Sequence, residues 1–163
     1  MTDALRRRDV VAGLLSLVAL AGCSSGGPRL PASTFSLRAN APADTLGLVN
    51  AARRSGGRGA MRIDPAAQRA AERHARAMAR AGRMAHDLRG QPRFGARMRR
   101  DGVPLPAAEN VAMGQSDARA AIVAWMNSPG HRRNLLDRRF GGVGVASAAG
   151  PDGRPFWAMV LTP

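Results

Sequence analysis

Apolar positions along this chain fall into two regimes. Up to residue 21 they form a block; from residue 44 onward they recur first at helical and then at strand spacing. Val10 to Ala21 is a largely apolar run of 12 residues, well short of the ~20 that a permanent membrane helix needs. Beyond a Ser/Gly/Pro/Ala-rich stretch, Leu46, Val49 and Ala52 share one face of a first helix, capped by Asp44 or Thr45 and ending near Ser55-Gly56-Gly57. Asp64-Pro65 starts a second helix, an N-cap followed by proline at the first helical position. Its stripe of Ala67, Ala70, Ala71, His74, Ala75, Met78 and Ala79 predicts a buried face that ends near Gly82.

Phe94 to Asp101 reads as a short helix stopped by Gly102 and Pro104. Ser116-Asp117 caps another, with Ile122, Trp125 and Met126 inward and Ser128-Pro129-Gly130 ending it. The period then changes. Val143 and Val145, and Phe156, Ala158 and Val160, alternate on either side of Gly150-Pro151-Asp152-Gly153, which predicts a closing β-hairpin. The pattern describes helices packed on a small antiparallel sheet, an α+β domain without repeats.

The first block has the three parts of an export signal. Arg6-Arg7-Arg8 precede the apolar run, and Leu20-Ala21-Gly22-Cys23 closes it with small residues before a cysteine. This is the pattern of a lipoprotein signal, in which Cys23 becomes the lipidated N-terminus. Ser24-Ser25-Gly26-Gly27-Pro28 continues as a flexible tether. Residues 1–22 are therefore expected to be a signal peptide, 23–43 a linker and 44–163 the folded domain. The mature protein is expected in the cell envelope, lipid-anchored to a membrane, on the periplasmic or outer surface. Arg7-Arg8 also resembles a twin-arginine signal, although any arginine-rich leader gives similar strings.

Composition narrows the chemistry. The formal net charge is +14, and all 25 basic residues are arginine. A basic chain invites a nucleic-acid reading. Here the arginines are spread over the whole length, and four Phe with two Trp and no Tyr supply few stacking platforms. No nucleic-acid partner is expected, whereas a general affinity for anionic lipid or polymer stays open. The absence of lysine removes Schiff-base and lysine general-base chemistry, and arginine does not replace it. Cys23 is the only cysteine and is committed to the anchor, so neither a disulfide nor a thiol nucleophile is available.

Chemistry is left to three histidines, the acids and a few hydroxyls. His74 sits on the apolar face of the second helix and reads as a packed core residue. His86 lies in a polar connection before Asp87. Glu109 is flanked by Ala107, Ala108, Val111 and Ala112, and a carboxylate in such a segment wants a partner. His131 follows a Pro-Gly turn that aims its ring. Ser128, three residues earlier, lacks a nucleophile elbow and is read as ending a helix.

Four segments in order carry a resemblance. They are the helix of Ala71 to Ala79 leading into Met84-Ala85-His86, then Ala108-Glu109-Asn110-Val111-Ala112, then Trp125-Met126-Asn127-Ser128-Pro129-Gly130-His131-Arg132 with Asn134-Leu135-Leu136, and finally Gly142-Val143-Gly144-Val145 with Phe156-Trp157. Together they resemble the CAP superfamily, the SCP domain of cysteine-rich secretory, antigen 5 and pathogenesis-related proteins, in a bacterial lipoprotein form. The resemblance implies a three-layer α-β-α sandwich with a cleft gathering two His and two Glu. His86, Glu109 and His131 match three of these positions. The fourth, one turn beyond Trp125, holds Asn127 and Ser128 instead of glutamate. Ala108 also departs from the usual glycine, and Met159 from a polar residue.

The resemblance implies that His86 and His131 can bind zinc or another divalent metal, with Glu109 as a candidate general base. Spacing alone gives this little support, because the three residues lie more than 20 positions apart and no His-Glu-x-x-His is present. Three functions compete. The first is an anchored monomeric binding module whose cleft, lined by His86, Glu109 and His131, takes a small molecule, lipid, peptide, glycan or metal. The second is a metal-assisted hydrolase of peptide or cell-wall material. The third is an adhesion protein whose polar cluster only holds loops. Whether the chain is an enzyme is left open by its sequence.

Overall fold

The computed structural model describes residues 42–163; the expected signal peptide, Cys23 and most of the linker lie outside them. Helix α1 (Pro42–Ser55) leads to a two-residue strand β1 (Arg62–Ile63), α2 (Pro65–Ala81) and α3 (Phe94–Asp101). Strand β2 (Ala108–Met113), α4 (Ala118–Asn127), α5 (Pro129–Leu135), β3 (Gly142–Ala149) and β4 (Pro155–Thr162) follow. The sheet order is β1-β3-β4-β2. The three longer strands are antiparallel, the β3–β4 pair as the alternation predicts, and β1 joins parallel to β3, so the sheet is mixed.

Side chains of β4 alternate between two apolar layers. Trp157, Met159 and Leu161 pack with Val49, Ile122, Trp125, Leu135 and Val143 against α1, α4 and α5. Phe156, Ala158 and Val160 face the opposite way, onto Ala71, Ala75 and Met78 of α2 and Met98 of α3. This is the three-layer sandwich. Burial on both faces explains why β4 carries apolar residues at every position from Phe156 to Leu161.

The starts and stops read from the sequence account for α2. Asp64 accepts a hydrogen bond from the Ala67 amide at 2.8 Å, Pro65 opens the helix, and Gly82 closes it at φ 58°. The alanine stripe lets α2 lie close to the sheet, closest at Gly144. A Cβ there would stand 2.2 Å from the Gln68 nitrogen. Gln68 also extends the ladder past the short β1, since its side-chain amide exchanges two hydrogen bonds with the Val145 backbone, at 3.1 and 3.0 Å.

Two expectations need correction. Helix α1 begins at Pro42, so Asp44 lies in its first turn rather than at its cap. Ser128-Pro129-Gly130 is not a plain terminator followed by a turn. Ser128 ends α4 and also serves as N-cap residue of a further helix, α5, because proline fits a first helical position as well as it stops a preceding helix. The segment around Glu109, to which the pattern assigns no element, is the strand β2, hydrogen-bonded along β4.

Candidate functional site

Strand β2 is the sheet edge opposite β1. Consecutive residues on a strand point to opposite faces, so Glu109 and Asn110 serve different layers. Glu109, paired in register with Val160, enters the α2–α3 layer; Asn110, paired with Met159, enters the α4–α5 layer. Both are buried.

Glu109 is the centre of a charge cluster. Arg97 of α3 grips it with two parallel bonds, Nη1 to Oε2 at 2.9 Å and Nη2 to Oε1 at 3.0 Å. Arg97 Nη2 also donates to the His86 carbonyl at 2.8 Å, tying the loop after α2 to α3. His86 Nδ1 donates to Glu109 Oε1 at 3.0 Å. That bond places the proton on Nδ1 of the neutral ring and leaves the Nε2 lone pair free; the His86 side chain is 53% exposed. His74 donates from Nε2 to the Ala85 carbonyl at 2.9 Å and lies 3.5 Å from Glu109 Oε1. It is buried in the core as expected, and it also borders the cluster.

On the other face, the Asn110 amide donates to the His131 carbonyl at 3.0 Å and accepts from Asn134 at 2.9 Å. Strand β2 therefore holds His131 by its backbone, through the first turn of α5. The His86 and His131 rings stand with centroids 6.5 Å apart and planes inclined at 55°. Ser128 makes no side-chain cap bond.

The three sequence-derived residues thus converge on one edge of the sheet in different ways. His86 and His131 form a half-exposed pair, and Glu109 stands behind His86. Arg97 was missed. It is one of 25 arginines, and among the described ones it shares near-complete burial with Arg53. Its place on the inward side of a short amphipathic helix was the one available signal.

Two imidazoles form the donor set a divalent ion would use. Among the described residues, no three His, Asp or Glu side chains are grouped to hold a metal. Both Glu109 oxygens are engaged by Arg97, so the carboxylate fits an outer-shell acceptor for His86 Nδ1–H, a common companion of metal-bound imidazole. Rings sharing one tetrahedral ion have centroids about 5 Å apart, so the exposed His86 ring would need a small inward turn. The residues fit an open, weak site with solvent completing the shell.

Electrostatics separate the histidines. The hydrogen bond to Glu109 raises the His86 pKa above its ordinary value. Burial lowers that of His74, and burial with the nearby His86 charge lowers that of His131. Burial alone would raise the Glu109 pKa, but the bonds from His86 and Arg97 outweigh it and hold the group below the usual carboxylate value.

Each shift sets a sign for pH-dependent stability. The His86 contribution is complete below pH ~6.5 and is lost as pH rises through the higher folded pKa. His74 and His131 oppose it, since protonation below pH ~6.5 favours the unfolded chain. The Glu109 contribution is present above the unfolded value and is lost as pH falls through the lower folded one. Ring-proton NMR titration should place the His86 midpoint above pH ~6.5 and the other two below it. The reverse order would contradict the bond between His86 and Glu109.

A four-strand mixed sheet between helical layers is the fold of solved SCP-domain structures. Residues 46–161 match the model of the CAP family, described as the cysteine-rich secretory protein family, and the chain belongs to that family. It is 49% identical over 39 residues to YkwD, an uncharacterised protein of Bacillus subtilis, a match covering 24% of this chain and 15% of that protein. Its fold is similar to that of an extracellular SCP-domain protein of Bacillus anthracis, with a TM-score of 0.68 and 28% identity, covering 83% of this chain and 44% of the other. An outer surface protein of Borrelia burgdorferi shares the fold at a TM-score of 0.63 and 18% identity, over 72% and 87% of the two chains. The chain thus spans less than half the length of the two Bacillus proteins.

Proposed function

We propose that this chain is an envelope-anchored CAP-domain binding module whose His86–His131 pair takes a divalent metal ion or a small ligand. One observation carries the choice: both Glu109 oxygens are held by Arg97. A buried carboxylate so engaged, with a depressed pKa, is a poor general base for water. Its geometry suits orienting His86 so that Nε2 faces outward. The extracellular and outer-surface relatives support export, and the leader with Cys23 supports a lipid anchor. Fractionation checks the anchor: a Cys23→Ser protein that stays with the membranes would count against it.

Calorimetric titration with zinc tests the cleft. Heat with wild type, and none with either His86→Ala or His131→Ala, is the expected result. No heat with wild type, or undiminished heat with both variants, would remove the metal reading. The hydrolase alternative draws on the same Glu109–His86 pair, with His86 rather than Glu109 facing a substrate. Turnover of peptides or peptidoglycan that vanishes in His86→Ala would favour it over a module that only binds.

A further inference from the structure

Arg58, Arg132, Arg133 and Arg138 line a cavity of about 830 Å³ that runs along α5 and the turn after it. Among the described residues, none of the four takes part in an ion pair. The acid at the rim, Asp137, is engaged by Arg139 at 2.6 Å. Its pKa is pushed down to about 2 by the Arg139 hydrogen bonds, with Arg53 adding to the effect.

The helix end does not offset this charge. Its carbonyls, which ordinarily present negative potential, are occupied. Arg53 donates to the carbonyls of Leu135 at 2.7 Å and Asp137 at 3.1 Å, and Arg58 donates to that of Leu136 at 2.7 Å. Arg53 is 3% exposed and likewise has no ion-pair partner among the described residues. A buried cation held by carbonyl groups therefore lies beside a cavity already lined by four more. A concave surface of one sign focuses its field and draws in counter-charge.

A second basic hollow, beside α2, gives the contrast. Arg73 and Arg100 there are matched to Asp101, Arg76 to Glu72 and Arg97 to Glu109, which leaves Arg80 as the uncommitted one of its five arginines. Charge at that hollow is largely spent within the protein; charge at the α5 cavity is not.

We propose that the α5 cavity binds a phosphate group, either free or as the headgroup of an anionic lipid. The guanidinium forks of Arg132, Arg133 and Arg138, with the remaining N–H groups of Arg58, offer more donors than a carboxylate accepts. A phosphate matches them with three or more oxygens and up to two negative charges. Met126 and Leu136 give the same cavity an apolar wall for the carbon skeleton bearing the phosphate. The site is separate from the His86–His131 pair and does not depend on it.

Calorimetric titration with inorganic phosphate, and sedimentation with vesicles of phosphatidylglycerol against phosphatidylcholine, test the proposal. The protein is the full chain in three forms. They are wild type, Arg132→Gln/Arg133→Gln/Arg138→Gln, and a control triple, Arg69→Gln/Arg83→Gln/Arg99→Gln, which removes equal charge from exposed positions outside the cavity. The cavity triple should lose about tenfold or more in affinity, and the control less than half that on a logarithmic scale. The triples replace exposed side chains, and unchanged thermal midpoints would exclude unfolding as the cause. Selective loss toward inorganic phosphate assigns a free-phosphate site. Selective loss toward phosphatidylglycerol vesicles alone assigns a lipid headgroup. Equal loss in both triples, or no binding of either probe by wild type, overturns the proposal.

Discussion

Replacing Arg97 with methionine should destabilise the domain by about 3–5 kcal/mol, read from the urea midpoint at neutral pH. Such a cost does not come from the attraction of an isolated pair. Arg97 and Glu109 have side-chain exposures of 4% and 2%, so deleting either leaves the other charged in low-polarity surroundings. The two deletions should differ. With Arg97 gone, Glu109 can take up a proton, and the penalty should shrink as pH falls. With Glu109→Gln, Arg97 cannot neutralise itself, and the penalty should persist. The double variant Arg97→Met/Glu109→Leu should cost far less than the two single changes added together, because it removes both charges. Strict additivity, or a loss below ~1 kcal/mol for Arg97→Met, would show that the pair does not carry this burden. Release of Glu109 from Arg97 should also free His86 to turn, linking local stability to the geometry of the cleft.

Gly144→Ala should be nearly as damaging, at about 3 kcal/mol. The new Cβ would lie 2.2 Å from the Gln68 nitrogen and 2.3 Å from the Ala67 carbonyl carbon. Both are backbone atoms of α2, so no rotamer change makes room; the helix must lift from the sheet. For a domain of this size that corresponds to a drop in thermal midpoint of roughly 10 °C. Gly59→Ala, where no atom comes within 4 Å of the added carbon, is the matched control, expected within ~0.5 kcal/mol of wild type. Equal midpoints for the two variants would mean that α2 does not sit so close.

These two positions mark where the sequence was legible and where it was not. Helix α2 announced itself at both ends, through Asp64-Pro65 and Gly82, and along its alanine stripe. The β3–β4 hairpin did so by alternation around Gly150 to Gly153. Strand β2 gave no alternation, because Glu109, Asn110, Val111 and Ala112 are all buried; burial on both faces erases the period of two. Helix α5 was hidden by Pro129, which ends one helix and starts the next. Motif resemblance brought His86, Glu109 and His131 to one edge of the sheet. It carried no sign of Arg97, whose role depends on α3 meeting β2, a contact that no local spacing encodes.

The place of β4 has a kinetic consequence. It is the last element in chain order and lies between β3 and β2, with Val160 opposite both Gly144 and Glu109. Until residues 155–162 are available, the two neighbouring strands lack their shared partner and α2 lacks much of its floor. Closure over such separations is slow and cooperative. The nascent segment therefore has little to gain from early collapse, and the domain closes as a unit only once that strand is made.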